Sequence, residues 1–502
     1  MTMENHLFDQ LRSPSRTRDA DVFALSSTGN MTFGALFEGA LRTAAVLQEQ
    51  GVVPGDRVAV QVQKSLQALQ LYIGCVAVGG VFLPLNTAYT EDEVTYFLGD
   101  ADPKVLVCDP DRKTTMAAIA GAARLLTLGA DGGGSLSDAV AGAQPLPAPV
   151  ARTEEDLGAI LYTSGTTGRP KGAMLSHRAL ASNSQTLAKL WQFTAEDVLI
   201  HALPIFHTHG LFVATNVALM SGAQINFHAG FDADAIIAAM PTSTALMGVP
   251  TFYTRLLQHP GLSEASRNMR LFVSGSAPLL AATHEAWHAK TGHAILERYG
   301  MTETNMNTSN PYDGARRPGT VGFPLPDVEL KICDPATGTE LPQGEVGSIE
   351  VRGPNLFSGY WQMPEKTAED MRSDGFFITG DLGIIDAEGY FSIVGRSKDL
   401  VISGGYNVYP KEIESVIDKI DGVSESAVIG LPHPDFGEAV AAVIVRGSYA
   451  VTDVSIKDAL ADKLARFKQP KAVFFQDTLP RNTMGKVQKN VLRDQYAMTF
   501  KN

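Results

Sequence analysis

Short apolar runs that alternate with helix-like segments limit this chain to layered α/β folds. Arg57–Val62 alternates apolar and polar side chains as a strand does, and Val105–Cys108 is typical of a fully buried strand. Between them, Thr90 and Glu93 form a capping-box signature that predicts a helix. Similar apolar runs recur as far as residues 294–296. The sequence therefore predicts a large layered or doubly wound α/β body.

The chain has 502 residues, which is more than one hydrophobic core usually organises, so two or more domains are expected. Short β-like pieces between residues 328 and 394 predict a small β-rich subdomain. A compact unit begins after Arg396 and resembles a small α+β domain of roughly a hundred residues. Its two predicted helices carry the apolar faces Ile413, Val416, Ile417, Ile420 and Ile456, Leu460, Leu464, Phe467.

Charge and composition exclude several classes of protein. The formal net charge of −13 excludes a general nucleic-acid binder but allows a local polyphosphate site. The cysteines lie far apart, without metal or disulfide spacing, as is typical of a reducing compartment. Two uncharged stretches, Ser65–Thr90 and Val198–Phe231, contain prolines and polar side chains that favour buried core over membrane spans. Since no secretory signal is visible, we expect a cytoplasmic enzyme that binds neither nucleic acid nor membranes.

A loop rich in glycine and hydroxyl residues follows the apolar run Leu157–Leu161. In residues 162–172 (YTSGTTGRPKG), the glycines allow successive backbone N–H groups to face one point, and such a nest binds phosphate. The hydroxyl groups and Lys171 add hydrogen-bond donors and positive charge. The loop is not a Walker A motif, because Pro170 stands five residues after Gly165, where that motif has glycine. It predicts a nucleotide triphosphate as ligand.

Four further polar clusters lie on predicted loops: 299–304 (YGMTET), 379–381 (TGD), 395–399 (GRSKD) and 480–486 (PRNTMGK). Each has a plausible task around ATP. Glu303 can hold Mg²⁺ against the phosphates, and Asp381 can accept both ribose hydroxyls. Lys486 can neutralise the charge of an in-line transition state on phosphorus. Each cluster alone is weak evidence, because such short motifs and surface lysines are common.

In this order and combination, the motifs resemble the adenylate-forming superfamily of acyl-CoA synthetases, peptide-synthetase adenylation domains and beetle luciferases. The resemblance covers essentially the whole chain. It implies that a carboxylate attacks the α-phosphorus of Mg-ATP, and that the thiol of CoA then attacks the acyl-adenylate and releases AMP. It also implies an N-terminal body (residues 1–395), a hinge (396–400) and a small, mobile C-terminal domain (401–502).

The resemblance also implies a role for individual residues. Tyr299 is expected to stack on adenine, Thr302 to meet the α-phosphate, and Lys398 to stand at the hinge. The catalytic set is Lys486, Thr302 and Glu303, and Glu303 is the expected magnesium ligand. The pantetheine arm of CoA is expected along Gly404, Gly405 and Tyr406. The ATP-binding set is Thr163, Ser164, Gly165, Thr166, Thr167, Gly168, Lys171, Ser276, Ala277, Glu297, Arg298, Tyr299, Thr302, Asp381, Arg396 and Lys486.

Arg255 directs the substrate prediction towards a small diacid. It follows a segment, 249–254 (VPTFYT), that resembles the start of the acyl-pocket helix. A guanidinium there binds a carboxylate bidentately and, if buried, needs such a partner. The predicted substrate-binding set is Arg255, Ser276, His207 and Met301, and with it the chain is similar to malonyl-CoA synthetases. Malonate is the expected substrate and methylmalonate a tolerated analogue, since one methyl is worth only ~1–3 kcal/mol.

Other interpretations of the same residues stay open. His207 could guard the thiol tunnel whatever the acid, and Arg255 could be a solvent-facing helix residue. The chain could activate another short or medium-chain carboxylate, load a carrier protein instead of CoA, or bind nucleotide without turnover. Replacing Arg255 by Leu tests the first alternative, and a comparison of CoA with a carrier protein tests the second. The joint presence of Lys486, Thr302 and Glu303 argues against the third.

Overall fold

The computed structural model of the protein describes residues 4–163, 170–403, 406–447, 451–461, 463–482 and 485–500. The strands are β1 (Val22–Ser26), β2 (Met31–Thr32), β3 (Arg57–Gln61), β4 (Val81–Pro84), β5 (Val105–Cys108), β6 (Arg124–Thr127), β7 (Leu157–Thr163), β8 (Lys171–Ser176), β9 (Val198–His201), β10 (Gln224–Phe227), β11 (Ala245–Gly248), β12 (Leu271–Ser274), β13 (Leu296–Met301), β14 (Asn305–Ser309), β15 (Phe323–Pro324), β16 (Glu329–Cys333), β17 (Gly347–Arg352), β18 (Phe377–Ile385), β19 (Phe391–Arg396), β20 (Val401–Ser403), β21 (Tyr406–Val408), β22 (Val423–His433), β23 (Gly437–Arg446) and β24 (Ala472–Gln476).

The α-helices are α1 (His6–Arg12), α2 (Phe33–Glu49), α3 (Leu66–Ala77), α4 (Glu91–Ala101), α5 (Lys113–Ile119), α6 (Ser135–Gly142), α7 (His177–Leu190), α8 (Asn216–Ser221), α9 (Ala233–Ala239), α10 (Pro250–Leu256), α11 (Leu262–Ala265), α12 (Ala281–Thr291), α13 (Pro364–Glu369), α14 (Pro410–Ile417), α15 (Asp453–Ala461) and α16 (Lys489–Tyr496). The predicted capping box opens α4, where the Thr90 N–H donates to Glu93 Oε2 at 2.8 Å. A π-helix, His209–Thr215, leads directly into α8.

Two sheets build the N-terminal body. One has six strands in the order β6-β5-β3-β4-β7-β8, and its edge pair β7 and β8 is antiparallel. The other has nine strands in the order β15-β14-β13-β12-β11-β9-β10-β1-β2, and the strands from β13 to β1 run parallel. A large apolar cluster, which includes the fully buried Trp191 and Trp287, packs helices against the sheets. The predicted layered α/β body is confirmed.

The two uncharged stretches of the sequence are core elements, as predicted. Residues 65–90 form α3 and β4, and residues 198–231 form β9, the π-helix, α8 and β10. Most of their apolar side chains are fully buried. Within the described residues, no helix combines the length and the apolar character that a bilayer crossing requires.

The β-rich subdomain is an antiparallel sheet of four strands, β16-β17-β18-β19. The carboxylate of Glu350 is fully buried beneath it and accepts a hydrogen bond of 2.7 Å from Arg372, while Lys331 lies 3.6 Å away. Two cations therefore compensate the buried charge. In this sheet, Asp381 on β18 stands directly opposite Arg396 on β19, and the two form a pair that belongs to the candidate site.

The C-terminal α+β domain contains a five-stranded sheet in which β21-β20-β23-β22 follow in order and β24 pairs with β23. The helix α14 buries Ile413 and Ile417 against it, as its apolar period predicts. The second predicted helix is shorter than expected, because α15 ends at Ala461. Residues 466–468 form a 3₁₀ turn shortly before Pro470, whose ring disfavours helical geometry in the preceding residue.

Candidate active site

Neighbouring parallel strands bring several predicted segments to one edge of the nine-stranded sheet. The strands β9, β11, β12 and β13 lie side by side. The segments that follow them contain His207, Arg255, Ser276 and Thr302. Open parallel sheets bind their ligands in the crevice beyond the carboxyl ends of the strands. The candidate site therefore lies at this edge.

The hairpin of β7 and β8 brackets the predicted phosphate loop. Thr163 ends β7 and pairs with Lys171, which begins β8. The ammonium of Lys171 lies 4.0 Å from the centre of the Tyr360 ring and 3.6 Å from Asp370. The other members of the predicted loop lie outside the described residues: Ser164, Gly165, Thr166, Thr167 and Gly168.

Glu303 supplies a buried carboxylate beside Lys171. Its Oε1 accepts a hydrogen bond of 3.0 Å from the hydroxyl of Tyr360. Burial raises the pKa of Glu303, and the positive charges of Lys171 and Arg396 partly oppose that rise. Thr302, the preceding residue, is half-buried. Two of the three predicted catalytic residues thus lie together at the end of β13.

Asp381 connects the β-rich subdomain to β13. Its Oδ2 accepts a hydrogen bond of 2.6 Å from the Tyr299 hydroxyl, and Arg396 Nε lies 2.8 Å from its Oδ1. The negative charge of Asp381 makes the largest contribution to the raised pKa of Arg396. The sequence predicted these residues as nucleotide contacts from separate motifs, and the structure brings them together.

The loop that carries Lys486 is a tight turn of the C-terminal domain. The Lys486 N–H donates to Asn482 Oδ1 at 2.9 Å, and the Asn482 N–H donates to the Lys486 carbonyl at 2.9 Å. Gly485 has a left-handed φ of 74°, and a Cβ at this position would lie 3.6 Å from Thr251 Cγ2. Because Thr251 belongs to α10, the C-terminal loop reaches the N-terminal body.

The ammonium of Lys486 interacts with the charged groups around Asp381 and Glu303, although part of its side chain stays exposed to solvent. Surrounding protein lowers the pKa of Lys486 by displacing water, and the positive charge of Arg396 lowers it further. The carboxylates of Asp381, Asp399 and Glu303 act in the opposite direction. The ammonium therefore lies near the groups that were predicted to hold the ribose and magnesium.

Glu297 faces the C-terminal domain across the cleft. Burial raises the pKa of its carboxyl to about 8, and the backbone N–H groups of Gly319 and Leu279 and the charge of Lys411 on α14 limit this rise. The predicted adenine segment, Ser276 and Ala277, follows β12 and is half-buried. Ser276 has a φ of 71°, a strained left-handed conformation that is uncommon outside glycine and concentrated at functional sites.

Arg298 differs from its neighbours on β13, because its guanidinium lies on the other side of the strand. It is 4% exposed, and a Cβ on Gly275 would lie 2.2 Å from its Cζ. In the described part of the chain, Nε and Nη2 have no hydrogen-bond partner. Burial lowers the pKa of Arg298 to about 9. Arg298 was predicted beside adenine, whereas here it forms a buried cationic group next to Gly275.

His209, the first residue of the π-helix, stands beside this guanidinium, and His207 lies two residues before it on the loop after β9. His209 Nδ1 lies 3.3 Å from Ser276 Oγ. Burial lowers the pKa of His209, and the charge of Arg298 lowers it further. Burial alone lowers the pKa of His207 to about 4. The Nε2 atoms of both rings have no hydrogen-bond partner among the described residues. Both rings therefore stay neutral near pH 7.

The structure corrects the placement of Arg255. Its side chain is exposed, and its guanidinium lies 5.4 Å from the centre of the Phe231 ring. The helix α10 turns Phe252, Tyr253 and Leu256 into the core, so Arg255 falls on the outer face. Arg255 is therefore not the buried guanidinium that was expected, whereas Arg298 is buried.

The sequence itself contains a signal for the position of Arg298. Leu296, Glu297 and Arg298 form a buried strand, in which consecutive side chains point to opposite faces. If Tyr299 faces the nucleotide, Arg298 must face away from it. Met301, the remaining predicted substrate contact, ends β13 half-buried and pairs with Asn305.

The hinge prediction falls on a short 3₁₀ turn, Ser397–Asp399. Burial and the charge of Arg396 lower the pKa of Lys398 to about 8. Asp399 Oδ1 lies 2.8 Å from Arg493 Nη1 of α16.

Of the predicted CoA contacts, Gly404 and Gly405 lie outside the described residues, and Tyr406 is 59% exposed. The Tyr406 ring stacks on Phe467 with centroids 4.6 Å apart.

The family of the chain follows from its sequence. Residues 12–361 match the AMP-binding enzyme family, and residues 412–486 match the AMP-binding enzyme C-terminal domain. The chain belongs to the AMP-binding enzyme family. This confirms the prediction of an enzyme of the AMP-forming acyl-CoA synthetase type. A malonate–CoA ligase of Arabidopsis thaliana is 34% identical over 95% of this chain and 86% of its own length.

Solved structures resemble the whole chain. ATP-bound MatB from Rhodopseudomonas palustris is 58% identical, covers 99% of this chain and 100% of its own, and has a TM-score of 0.97. The apo form of MatB has the same identity and coverage, with a TM-score of 0.87. The chain is thus closer in structure to the ATP-bound form than to the apo form.

Burial of Glu297 makes the stability of the protein depend on pH. Its raised pKa means that the folded protein retains a proton that the unfolded chain loses, so its stabilising contribution is present at low pH and is lost as the pH rises towards about 8. We expect Glu297→Gln to unfold at a Tm higher by roughly 1–3 °C than the wild type near pH 9, and without this gain near pH 5. Differential scanning calorimetry without nucleotide measures this shift.

The matched control is Glu285→Gln on α12, where the glutamate is exposed. This control should leave Tm unchanged at both values of pH. An equal gain at both values for Glu297→Gln would show that the carboxyl is not protonated in the folded protein.

Proposed function

We propose that the protein is a malonate–CoA ligase, which converts malonate, ATP and CoA to malonyl-CoA, AMP and diphosphate through a malonyl-adenylate. The observation that carries this proposal is the buried guanidinium of Arg298, which leaves Nε and Nη2 without a hydrogen-bond partner in the described chain. An unpaired buried charge costs several kcal/mol, so a site that retains one is built for an anionic partner.

The position of Arg298 on β13 fits the far carboxylate of a short diacid. Tyr299 marks the nucleotide side of this strand through Asp381, and Glu303, just beyond the end of the strand, lies beside Lys171. Arg298 lies on the opposite side, where Gly275 leaves space for its fork. A planar guanidinium binds a carboxylate through two parallel hydrogen bonds. One carboxylate of malonate would thus meet Arg298 while the other meets the α-phosphate.

Ser276 and His209 complete the polar end of the proposed acyl pocket. The hydroxyl of Ser276 and Nδ1 of His209 are 3.3 Å apart, beside the charge of Arg298. Since acetate or a fatty acid would leave the guanidinium unpaired, such acids should be rejected strongly, by a factor of ~10⁴. Methylmalonate adds one methyl group, worth ~1–3 kcal/mol, and is a tolerated analogue.

Glu303 is suited to be a protein ligand of a magnesium ion whose other ligands are mainly the phosphates of the nucleotide. Magnesium is bound by one or two carboxylates together with substrate phosphates. Glu303 is buried and has one hydrogen bond to its Oε1, from Tyr360, while Lys171 lies close enough to lower its pKa. Magnesium would neutralise phosphate charge here. Thr302, Lys171 and the loop residues 164–168 would contact the phosphates, and Lys486 would bridge the substrate carboxylate and the α-phosphate.

The second half-reaction is proposed to follow a rotation about Lys398, between an N-terminal domain (residues 1–395) and a C-terminal domain (401–502). Arg493 holds Asp399, so the last residue of the hinge turn is tied to the C-terminal domain. The rotation would withdraw Lys486 and bring Tyr406, with Gly404 and Gly405, to the acyl pocket. Such a rotation would keep water from the adenylate while ATP and then the thiol of CoA react with the same carboxyl group.

Replacing the buried guanidinium tests the proposed substrate. We expect Arg298→Met to lower kcat/KM for malonate by about 10²–10⁴-fold, because the far carboxylate loses its charged partner. The folded protein should keep its Tm, since methionine fills the apolar space without a charge to desolvate. Pyrophosphate release with malonate, methylmalonate, succinate, acetate and octanoate, with and without CoA, provides the measurement.

The matched control is Arg255→Met, which removes an exposed guanidinium from α10. It should leave kcat/KM for malonate within about threefold of the wild type, because surface substitutions of this kind are usually small in effect. A large loss in this control with an unaffected Arg298→Met would return the substrate contact to position 255. Equal turnover of acetate and malonate by the wild type would reject the diacid proposal altogether.

The two half-reactions test the roles of Lys486 and Lys398 separately. We expect Lys486→Ala to slow adenylation by at least ~10²-fold, because the charge that stabilises the transition state is lost. Thioester formation from supplied malonyl-adenylate should survive.

For Lys398→Pro the reverse is expected: adenylation should persist and thioester formation should fail, since proline fixes φ at the hinge and blocks the rotation. Single-turnover assays of each half-reaction give the result, and parallel losses in both steps would contradict these roles.

A further inference from the structure

A lysine in the N-terminal body lies far in sequence from the proposed acyl pocket but is connected to it. Lys64 follows β3 and precedes α3. Its Nζ lies 2.8 Å from the His201 carbonyl oxygen and 3.0 Å from His201 Nδ1. The ammonium also stands 4.5 Å from the centre of the Phe227 ring. In the described chain, both of its hydrogen bonds go to His201.

The partners of the His201 ring determine where its proton lies. Nε2 stands 2.9 Å from the Gly210 carbonyl oxygen, which can only accept, so Nε2 must carry a hydrogen. Because Nε2 carries the hydrogen of the neutral ring, Nδ1 accepts from Lys64 Nζ at 3.0 Å, and Nζ keeps N–H groups to donate even though burial lowers the pKa of Lys64. Burial lowers the pKa of His201, and the charge of Lys64 lowers it further. The ring is therefore a neutral imidazole that accepts at Nδ1 and donates at Nε2.

The carbonyl that His201 holds belongs to the π-helix. The Thr215 hydroxyl donates to the same Gly210 oxygen at 3.0 Å and lies 3.0 Å from His201 Nε2. A Cβ on Gly210 would lie 1.9 Å from the Pro204 carbonyl oxygen, so the first π turn is pressed against the loop before it. π-Helical turns are rare in proteins, and those that occur are often found at functional sites. His201 thus ties β9 to both ends of this turn.

The same turn places His209 in the proposed pocket. His209 begins the π-helix, directly before Gly210, and its Nδ1 contacts Ser276 Oγ. Its ring is close enough to Arg298 for the two to interact electrostatically. A shift of the Gly210 carbonyl would therefore move His209 relative to Ser276 and Arg298. A displacement of even ~1 Å at a positioned group can change catalysis by ~10²-fold.

We propose that Lys64 is a positioning residue of the acyl pocket, which fixes His201 as the Nε2–H tautomer so that His201 holds Gly210 and places His209 against Ser276. Lys64 does not touch the acid in this role. The inference rests on the proposed function only for the identity of the acid. The tautomer and the geometry of the π turn are properties of the chain itself.

The alternative is a lysine that only fills space between β3 and β9. Its alkyl chain would then contribute by packing, and the ammonium would matter little. Lys64→Met keeps the apolar stem and removes the donor, and Lys64→Arg keeps the donor. Lys104→Met removes an exposed lysine from the same N-terminal body and serves as the control.

The first measurement is the tautomer of His201 in protein labelled with ¹⁵N-histidine. Long-range ¹H–¹⁵N correlation spectra distinguish protonated from unprotonated ring nitrogens, and the signals that vanish in His201→Gln identify the ring. In the wild type and in Lys64→Arg, we expect a protonated Nε2 and an unprotonated, hydrogen-bonded Nδ1. In Lys64→Met, the Nδ1 signal should lose the shift of a hydrogen-bonded acceptor. A spectrum unchanged by Lys64→Met would overturn the proposal.

The second measurement separates binding of the acid from binding of ATP. In Lys64→Met we expect KM for malonate to rise by roughly 10-fold or more, with KM for ATP and Tm close to the wild type, and we expect Lys64→Arg to restore KM in large part. Lys104→Met should change none of these values. An unchanged KM for malonate, or a joint loss of Tm and of both KM values, would reject the positioning role. Failure of the proposed function is distinguishable, because the wild type would then release no pyrophosphate with malonate.

Discussion

The guanidinium of Arg298 is the constraint on which the rest of the proposed acyl pocket depends. It is buried on β13, and two of its nitrogens have no partner among the described residues. Burial is costly for the charge and lowers the pKa of Arg298 to about 9, but the group remains mostly charged near pH 7. The pocket around it must therefore supply space for an anion. Gly275 provides that space, since a side chain there would collide with the guanidinium.

The alternation of side chains along β13 separates the two halves of the site. Glu297 and Tyr299 point towards the C-terminal domain and Asp381, where the ribose and adenine are proposed to bind. Arg298 points to the opposite face, towards His209. Under the proposed function, one strand therefore carries nucleotide contacts and acid contacts in turn. In this proposal both reacting groups are held without a separate element for each, and Thr302 and Glu303 follow directly after the strand.

Much of this architecture was predictable because it depends on local patterns. The capping box of Thr90 and Glu93, the apolar face of α14 and the buried strands needed only the spacing of side chains in the sequence. The family resemblance supplied the order of the motifs. The placement of Arg255 failed because the face that α10 buries depends on which sheet it packs against, and a helix of seven residues gives little periodicity from which to decide.

Other features of the site could not be read from the sequence because they depend on long-range contacts. Lys64 and His201 are 137 positions apart, and their hydrogen bond exists only because β3 and β9 belong to sheets that pack together. The ion pair of Asp381 and Arg396 required the register of β18 and β19. Each motif could be recognised alone in the sequence, but only the fold shows which of these side chains form ion pairs or hydrogen bonds with each other.

Under the proposed function, the distribution of cations explains how an acidic protein binds a polyphosphate and then changes its shape. Burial lowers the pKa values of Lys398 and Lys486, and the positive charge of Arg396 lowers both further, so these cations lie close together. Under the proposed function, the phosphates of ATP compensate this repulsion and favour the arrangement in which Lys486 faces the cleft. When diphosphate leaves, the cations lose most of that compensation and the repulsion returns. Since the hinge turn lies within the cluster, the electrostatic change acts at the point where the C-terminal domain is proposed to rotate.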